Sequence, residues 1–212
     1  MDNRYTETFN TWNKIAKLYQ NKFMDLDLYN ETYDFICTLL NEPNSKILEI
    51  GCGPGNITKY LLSKQPGFDV FGIDIAPNMI ELAKRNNPTA SFAVMDSREI
   101  SKITTKYNAI ICGFCLPYLS HNDSENFILD AKNILQNDGL LYISFVEGDP
   151  TKSDFQVSSS GDRSYFYYHT LDKLKTDLTK NQFEELKTFK VEYKKSETVT
   201  DIHTIIIAKK KD

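Results

Sequence analysis

The stretch Ile47-Leu48-Glu49-Ile50-Gly51-Cys52-Gly53-Pro54-Gly55-Asn56 joins an apolar run to a glycine-rich turn. Such a run reads as a buried parallel strand, and a turn without side chains lets a ligand approach the backbone. Twenty-three residues after Gly51 a second apolar segment ends in Asp74, and a third, Ser91-Phe92-Ala93-Val94-Met95, ends in Asp96. Three successive strand ends therefore carry glycine, carboxylate and carboxylate. A ligand with an amino-acid tail, a ribose and an adenine would find suitable partners in that order. Glu49 sits inside the first strand, where a buried carboxylate requires a partner.

These groups need elements to hold them. Trp12, Ile15, Ala16 and Tyr19 fall on one helical face, and a second helix is expected over 28–40. Strands expected at 47–50, 69–73, 91–95, 107–112 and 140–146 then alternate with helices. The helix after residue 112 shows Asn122 with Glu125 three residues on, a pattern similar to a capping box. The alternation implies an α/β fold with a parallel sheet and helices on both faces. In such sheets ligands bind beyond the carboxyl ends of the strands. Residues 147–163 are polar and read as a lid or connecting loop. The aromatic run Tyr165-Phe166-Tyr167-Tyr168-His169 follows, and segments 185–193 and 202–209 suggest an antiparallel terminal hairpin at one sheet edge.

The bulk numbers narrow the function. The 212 residues suit one domain, divided into N-terminal helices (1–45), a ligand-binding core (46–146) and a late segment (147–212). A net charge of −4 lacks the general positive charge used in non-specific nucleic-acid binding, so no nucleic-acid partner is expected. No apolar stretch is long enough to span a membrane, and the N-terminus does not read as a signal peptide, so a cytoplasmic protein is expected. Cys112-Gly113-Phe114-Cys115 matches C-x-x-C. With no second such pair or histidine pair at metal spacing, small buried residues are the better reading, and no metal is expected.

These motifs resemble a family. Leu48 to Gly55 and Gly72 to Ala83 are similar to the first and second motifs of the class I S-adenosylmethionine-dependent methyltransferases, and the similarity extends from about Trp12 to the C-terminus. The resemblance implies a Rossmann-like seven-stranded, mostly parallel sheet with an antiparallel last strand and an N-terminal helical cap. It implies S-adenosylmethionine as cofactor, S-adenosylhomocysteine as product, and a small-molecule acceptor. Gly51 and Gly53 would admit the methionine part and Glu49 would hold its ammonium. Asp74 would accept the ribose hydroxyls, with Ile75 and Met79 packing on adenine. Asp96 and the Ser97 amide would meet the adenine edge. Gly113 and Phe114 would face the methionine end, and Tyr19 would close the site. Two departures stand out: Ala76 replaces a capping Ser or Thr, and Gln182 stands where glycine often ends the late helix, which points to Asn181 as the left-handed residue.

The catalytic group is not fixed by the sequence. His169, closing the aromatic run, and Tyr118 are the candidates; His121 reads as surface and His203 as structural. The acceptor's identity, the attacking atom (N, O or other) and the oligomeric state are open. Three rival functions share the strand–glycine–helix start. A NAD-dependent oxidoreductase would use G-x-G-x-x-G, whereas Asn56 follows Gly55 here. A non-catalytic S-adenosylmethionine-binding module would need only the cofactor half. An aminopropyl transferase would need an acidic cluster after the fourth strand, and none is seen.

Overall fold

The structure, a computed structural model, describes residues 3–40, 42–158 and 161–211. Its centre is β1 (Lys46–Ile50), in which every residue after Lys46 is buried. A strand covered on both faces needs a continuous apolar run, which is what the sequence supplies. Ile47 packs with the helices of one face and Leu48 with those of the other, following the two-residue strand period. β1 pairs in parallel with β2 (Asp69–Asp74) and β4 (Tyr107–Cys112). The remaining strands of this sheet are β3 (Ser91–Val94), β5 (Leu135–Val146), β8 (Phe183–Lys194) and β9 (Thr200–Lys210). Their order is β3-β2-β1-β4-β5-β9-β8, with β9 antiparallel to both neighbours. The strand order reverses between β1 and β4, which opens a crevice at their carboxyl ends.

Helices α2 (Asn30–Leu39) and α3 (Asn56–Lys64) cover one face, where Ile36, Leu61 and Tyr142 are fully buried. Helices α5 (His121–Ile134) and α6 (Leu171–Lys180) cover the other through Phe127, Ile128 and Leu174. Helix α1 (Asn3–Phe23) lies over α4 (Pro77–Asn86), and Asn13 Oδ1 accepts the Asn78 backbone N–H at 2.9 Å. A side chain from another helix thus caps α4, which Ala76 cannot do.

Four local expectations are corrected. Residues 147–163 are not a plain loop: β6 (Asp154–Val157) pairs antiparallel with β7 (Arg163–Phe166). Residues 159 and 160 lie outside the described residues. β7 is anchored on α1, where Thr8 accepts the Tyr165 N–H at 2.9 Å and Thr11 donates to Arg163 O at 2.6 Å. The serines and the short strands hid the two-residue alternation. The cap of α5 is Ser120, which accepts the Asp123 N–H at 3.1 Å, two residues before the expected Asn122. Met95 lies beyond β3, which ends at Val94. Gln182, not Asn181, takes the left-handed conformation, with φ 59°. Asn181 remains near helical geometry because its amide donates to Asp177 O at 2.8 Å. Gln182 O in turn accepts the Lys211 N–H at 2.8 Å, which ties the turn to the end of the chain.

Candidate active site

The turn after β1 rolls the backbone through left-handed geometry at Gly51 (φ 63°) and Gly53 (φ 52°). L side chains rarely adopt that region, and a Cβ on Gly51 would stand 3.0 Å from Cys115 Cβ. The turn is locked by Asp74 at the end of β2. Its Oδ2 accepts the Gly53 N–H at 2.9 Å and its Oδ1 the Ala76 N–H at 2.8 Å. Burial pushes the Asp74 carboxyl up to about 6 despite these two bonds. Each oxygen retains a further lone pair for a ligand hydroxyl.

Glu49 lies under the same turn, 1% exposed. One carboxyl oxygen accepts the Thr58 hydroxyl; the other, Oε1, has no partner. Burial pushes its carboxyl up to about 8, Thr58 opposes the shift, and the Asp74 charge adds to it. A buried carboxylate with one orphaned oxygen costs stability unless a cation or donor arrives. A ligand ammonium would satisfy it. The residues present therefore fit the amino-acid end of S-adenosylmethionine.

Asp96, after β3, is held differently. Arg98 forms a fork with it, Nε to Oδ1 at 3.0 Å and a terminal nitrogen to Oδ2 at 2.5 Å. Burial raises the Asp96 carboxyl, but the Arg98 hydrogen bonds outweigh that and hold it below the usual range. Arg98 also stacks on the Tyr5 ring, 3.9 Å from its centroid. After β4, Phe114 adopts φ 56°, held by its N–H donating to Ser144 Oγ at 2.7 Å.

These groups line one cavity of about 320 Å³, within the range of roughly 300–1,000 Å³ usual for small-molecule sites. Tyr19, Glu49, Gly51, Gly53, Asp74, Ile75, Met79, Asp96, Ser97, Gly113 and Phe114 all border it, as does Tyr118. Ile75 is half-exposed at its rim, whereas Met79 is buried in the wall. Tyr19 lies over Gly53, 3.6 Å from where a Cβ would stand.

His169 does not belong to this group. It is buried at 2% exposure, with Nε2 3.0 Å from Leu116 O and its ring against His121 and Phe145. Burial lowers its pKa to about 4. Of the aromatic run, Phe166 reaches the cavity and Tyr165, Tyr167 and Tyr168 do not. His203, read from sequence as structural, does line it. The sequence held the signal for this: a last strand running antiparallel brings its start, not its end, to the carboxyl ends of the other strands. Trp12, Tyr29 and Tyr193 also line the cavity. Trp12 shares a helical face with Tyr19, the one signal in the sequence, whereas nothing in the spacing marked Tyr29 or Tyr193. Cys112 and Cys115 are free thiols, and no group of metal-ligating side chains forms among the described residues.

A methyltransferase domain model matches residues 47–139. A protein of Invertebrate iridescent virus 6 named as a methyltransferase is 30% identical over 64% of this chain and 49% of its own length. A malonyl-[acyl-carrier protein] O-methyltransferase of Acetivibrio thermocellus is 30% identical over 66% of this chain and 46% of its own length. The chain thus spans about half the length of these relatives. The crystal structure of the Burkholderia thailandensis 1,6-didemethyltoxoflavin-N1-methyltransferase superposes with a TM-score of 0.73, covering 98% of this chain and 88% of that one, at 18% identity. That likeness concerns the fold, and it extends the match beyond residue 139 to both ends of the chain. Residues 47–139 thus match a methyltransferase domain, and the strand order and the structural likeness show a Rossmann-like methyltransferase fold over the length of the chain.

Proposed function

We propose that this protein binds S-adenosylmethionine in the cavity at the ends of β1–β4 and transfers its methyl group to a small-molecule acceptor. The observation that carries the reading is the unpartnered Oε1 of Glu49 beneath the Gly51–Gly53 turn. A dinucleotide would place its pyrophosphate at this turn. With its carboxyl pushed up to about 8, Glu49 would be ionised and paired by an arriving ammonium, whereas a pyrophosphate would raise the cost of that ionisation and leave Oε1 without a cation. The NAD-dependent alternative is therefore disfavoured by charge as well as by spacing.

In this reading Glu49 and the glycine backbone hold the amino-acid end, Asp74 the ribose, and Ile75, Met79, Asp96 and Ser97 the adenine. The bound cofactor supplies a methyl group already activated on a sulfonium. What remains for the protein is to align an attacking atom with that methyl and to exclude water. Trp12, Tyr19 and Tyr118 provide the exclusion: Trp12 packs edge-on against both tyrosines, with ring centroids 5.5 and 5.2 Å apart. Tyr118 has no charged neighbour to activate it, and burial raises its pKa, so it acts as a wall and not as a base. The relatives' names span O- and N-methylation, and the nucleophile is not inherited from the family. A cytoplasmic setting belongs to this proposal and agrees with four free thiols. No helix among the described residues is long and apolar enough to cross a membrane.

The test is incubation with S-adenosylmethionine labelled on its methyl group and a protein-free extract of low-mass metabolites. Label moving into a low-mass product is expected. Cofactor binding without transfer to any fraction would make the chain a binding module. Label moving only into nucleic acid or protein when these are supplied in a parallel incubation would replace the acceptor class.

A further inference from the structure

We propose that His203, backed by Tyr29, receives the acceptor's proton, and that the acceptor is an uncharged ring compound bearing an O–H or ring N–H. This inference rests on the methyl-transfer reading. His203 pairs with Val146 at the carboxyl end of β5, so β9 delivers its ring to the cavity. The ring is held on several sides. It stacks on Tyr193, with centroids 4.8 Å apart and planes 13° apart, and lies nearly parallel to Tyr29 at 6.0 Å. Phe114 packs against it at 4.9 Å. Phe114 follows β4, whose Cys112 is in register with Ile50 just before the glycine turn. His203 is therefore close to the end of the cavity where the methyl group would be presented.

The two ring nitrogens have different surroundings. Nδ1 is 2.7 Å from the Tyr29 hydroxyl, so Nε2 is the nitrogen that this bond leaves available to a ligand in the cavity that His203 lines. With Tyr29 accepting from Nδ1–H, the Nε2 lone pair faces the ligand. Burial lowers the pKa of His203 to about 4, with Asp201 opposing and Lys195 adding to the shift, so the ring is neutral at pH 7. As the acceptor's oxygen or nitrogen forms its bond to the methyl carbon, the sulfur–methyl bond breaks and its electron pair stays on sulfur. The acceptor's proton passes to Nε2. One positive charge disappears from sulfur as one appears on imidazole, so the pocket carries the same charge before and after. The Tyr193 and Phe114 rings offset part of the cost that burial puts on the imidazolium.

The same wall argues against an anionic acceptor. The full cations that line the cavity among the described residues are Arg98 and Lys195. Each already faces a carboxylate, Asp96 at 2.5 Å and Asp201 at 3.5 Å. An anionic acceptor would meet no unpaired cation, whereas a flat ring would meet rings.

The experiment is NMR of the histidine ring signals in protein saturated with S-adenosylhomocysteine, titrated with 4-nitrophenol held below its pKa, 2-hydroxypyridine, indole, butylamine and succinate. The ring compounds should shift the His203 signals, and butylamine and succinate should not. His203→Ala should weaken ring-compound binding at least tenfold with cofactor affinity within threefold. Tyr29→Phe keeps the ring and should retain binding, and it should slow methyl transfer to a bound ring compound at least tenfold. Failure of S-adenosylhomocysteine to bind would overturn the methyl-transfer reading itself. Cofactor binding with no ring compound shifting His203, with equal binding in His203→Ala, or with undiminished transfer in Tyr29→Phe, would overturn this inference alone.

Discussion

At the carboxyl ends of β1, β2 and β3 the cavity wall is glycine backbone and carboxylate; at the start of β9 and around residue 29 it is aromatic rings. In the first region Glu49 and Asp74 are buried acids whose carboxyls are pushed up to about 8 and about 6. In the second, His203 is a buried base lowered to about 4, wrapped by Tyr29, Phe114 and Tyr193. The difference fits a division of labour. A cofactor with an ammonium and hydroxyls is recognised by fixed charges and exposed backbone. A variable acceptor is packed by shape, with one polar atom to orient it.

The comparison predicts that cofactor affinity and acceptor chemistry can be broken separately. The largest effect is expected for Asp74→Ala. It removes two charge-assisted ligand bonds of roughly 1.5–3 kcal/mol each before losses. Affinity for S-adenosylhomocysteine should fall about a hundredfold or more by calorimetry. Unchanged affinity would remove Asp74 from the site.

Next is His169→Ala, which tests whether the late aromatic run serves chemistry or packing. Loss of its bond to Leu116 O and of its ring contacts should lower stability by roughly 2 kcal/mol in urea denaturation. Turnover per folded molecule should stay at the wild-type value; a selective loss of turnover would return His169 to the site.

The contrast between these two residues also shows why the strand-end residues named from the sequence border one cavity while His169 lies outside it. Gly51, Asp74 and Asp96 end successive strands, so strand-end placement alone brings them together, and all eleven expected cofactor residues border the cavity. The parallel centre of the sheet was legible for the same reason: β1, β2, β4 and β5 carry apolar runs separated by helices, whereas the count of seven strands came from the family resemblance. The acceptor wall joins residues 29, 114, 193 and 203, which no periodicity connects. His169 was misplaced because adjacency to aromatic residues along the chain says nothing about which face of the turn they take. The hairpin β6–β7 was missed because its pairing depends on Thr8 and Thr11 of α1, more than 150 residues away.

A smaller effect is expected for Asp96→Asn. It keeps an acceptor oxygen but breaks the ion pair with Arg98. Cofactor affinity should fall less than tenfold, about 1.4 kcal/mol at most. A loss as large as that of Asp74→Ala would show that the Arg98 fork shapes the adenine side.

The smallest expected signal is a pH dependence in the ligand-free protein. The Glu49 carboxyl is raised from 4.5 to about 8, so the native state holds a proton that the unfolded chain releases. Its contribution is complete below pH 4.5 and is lost as pH rises through 8. His169 and His203 act in the opposite sense: lowered from 6.5 to about 4, their contribution is intact above 6.5 and is lost as pH falls toward 4. Between pH 6.5 and 8 Glu49 should therefore dominate. Wild type should lose melting temperature across that window relative to Glu49→Gln, and S-adenosylhomocysteine should remove the difference. Parallel pH profiles for the two proteins would mean that Glu49 is already ionised without ligand.

The most direct test of the account is a calorimetric titration of the wild-type protein with S-adenosylhomocysteine and, separately, with NAD. One equivalent of S-adenosylhomocysteine should bind and NAD should not, because an ammonium would ionise and pair the buried Glu49, whereas a pyrophosphate would meet an acidic group in place of a cation. Binding of NAD with none of S-adenosylhomocysteine would contradict the assignment of this cavity.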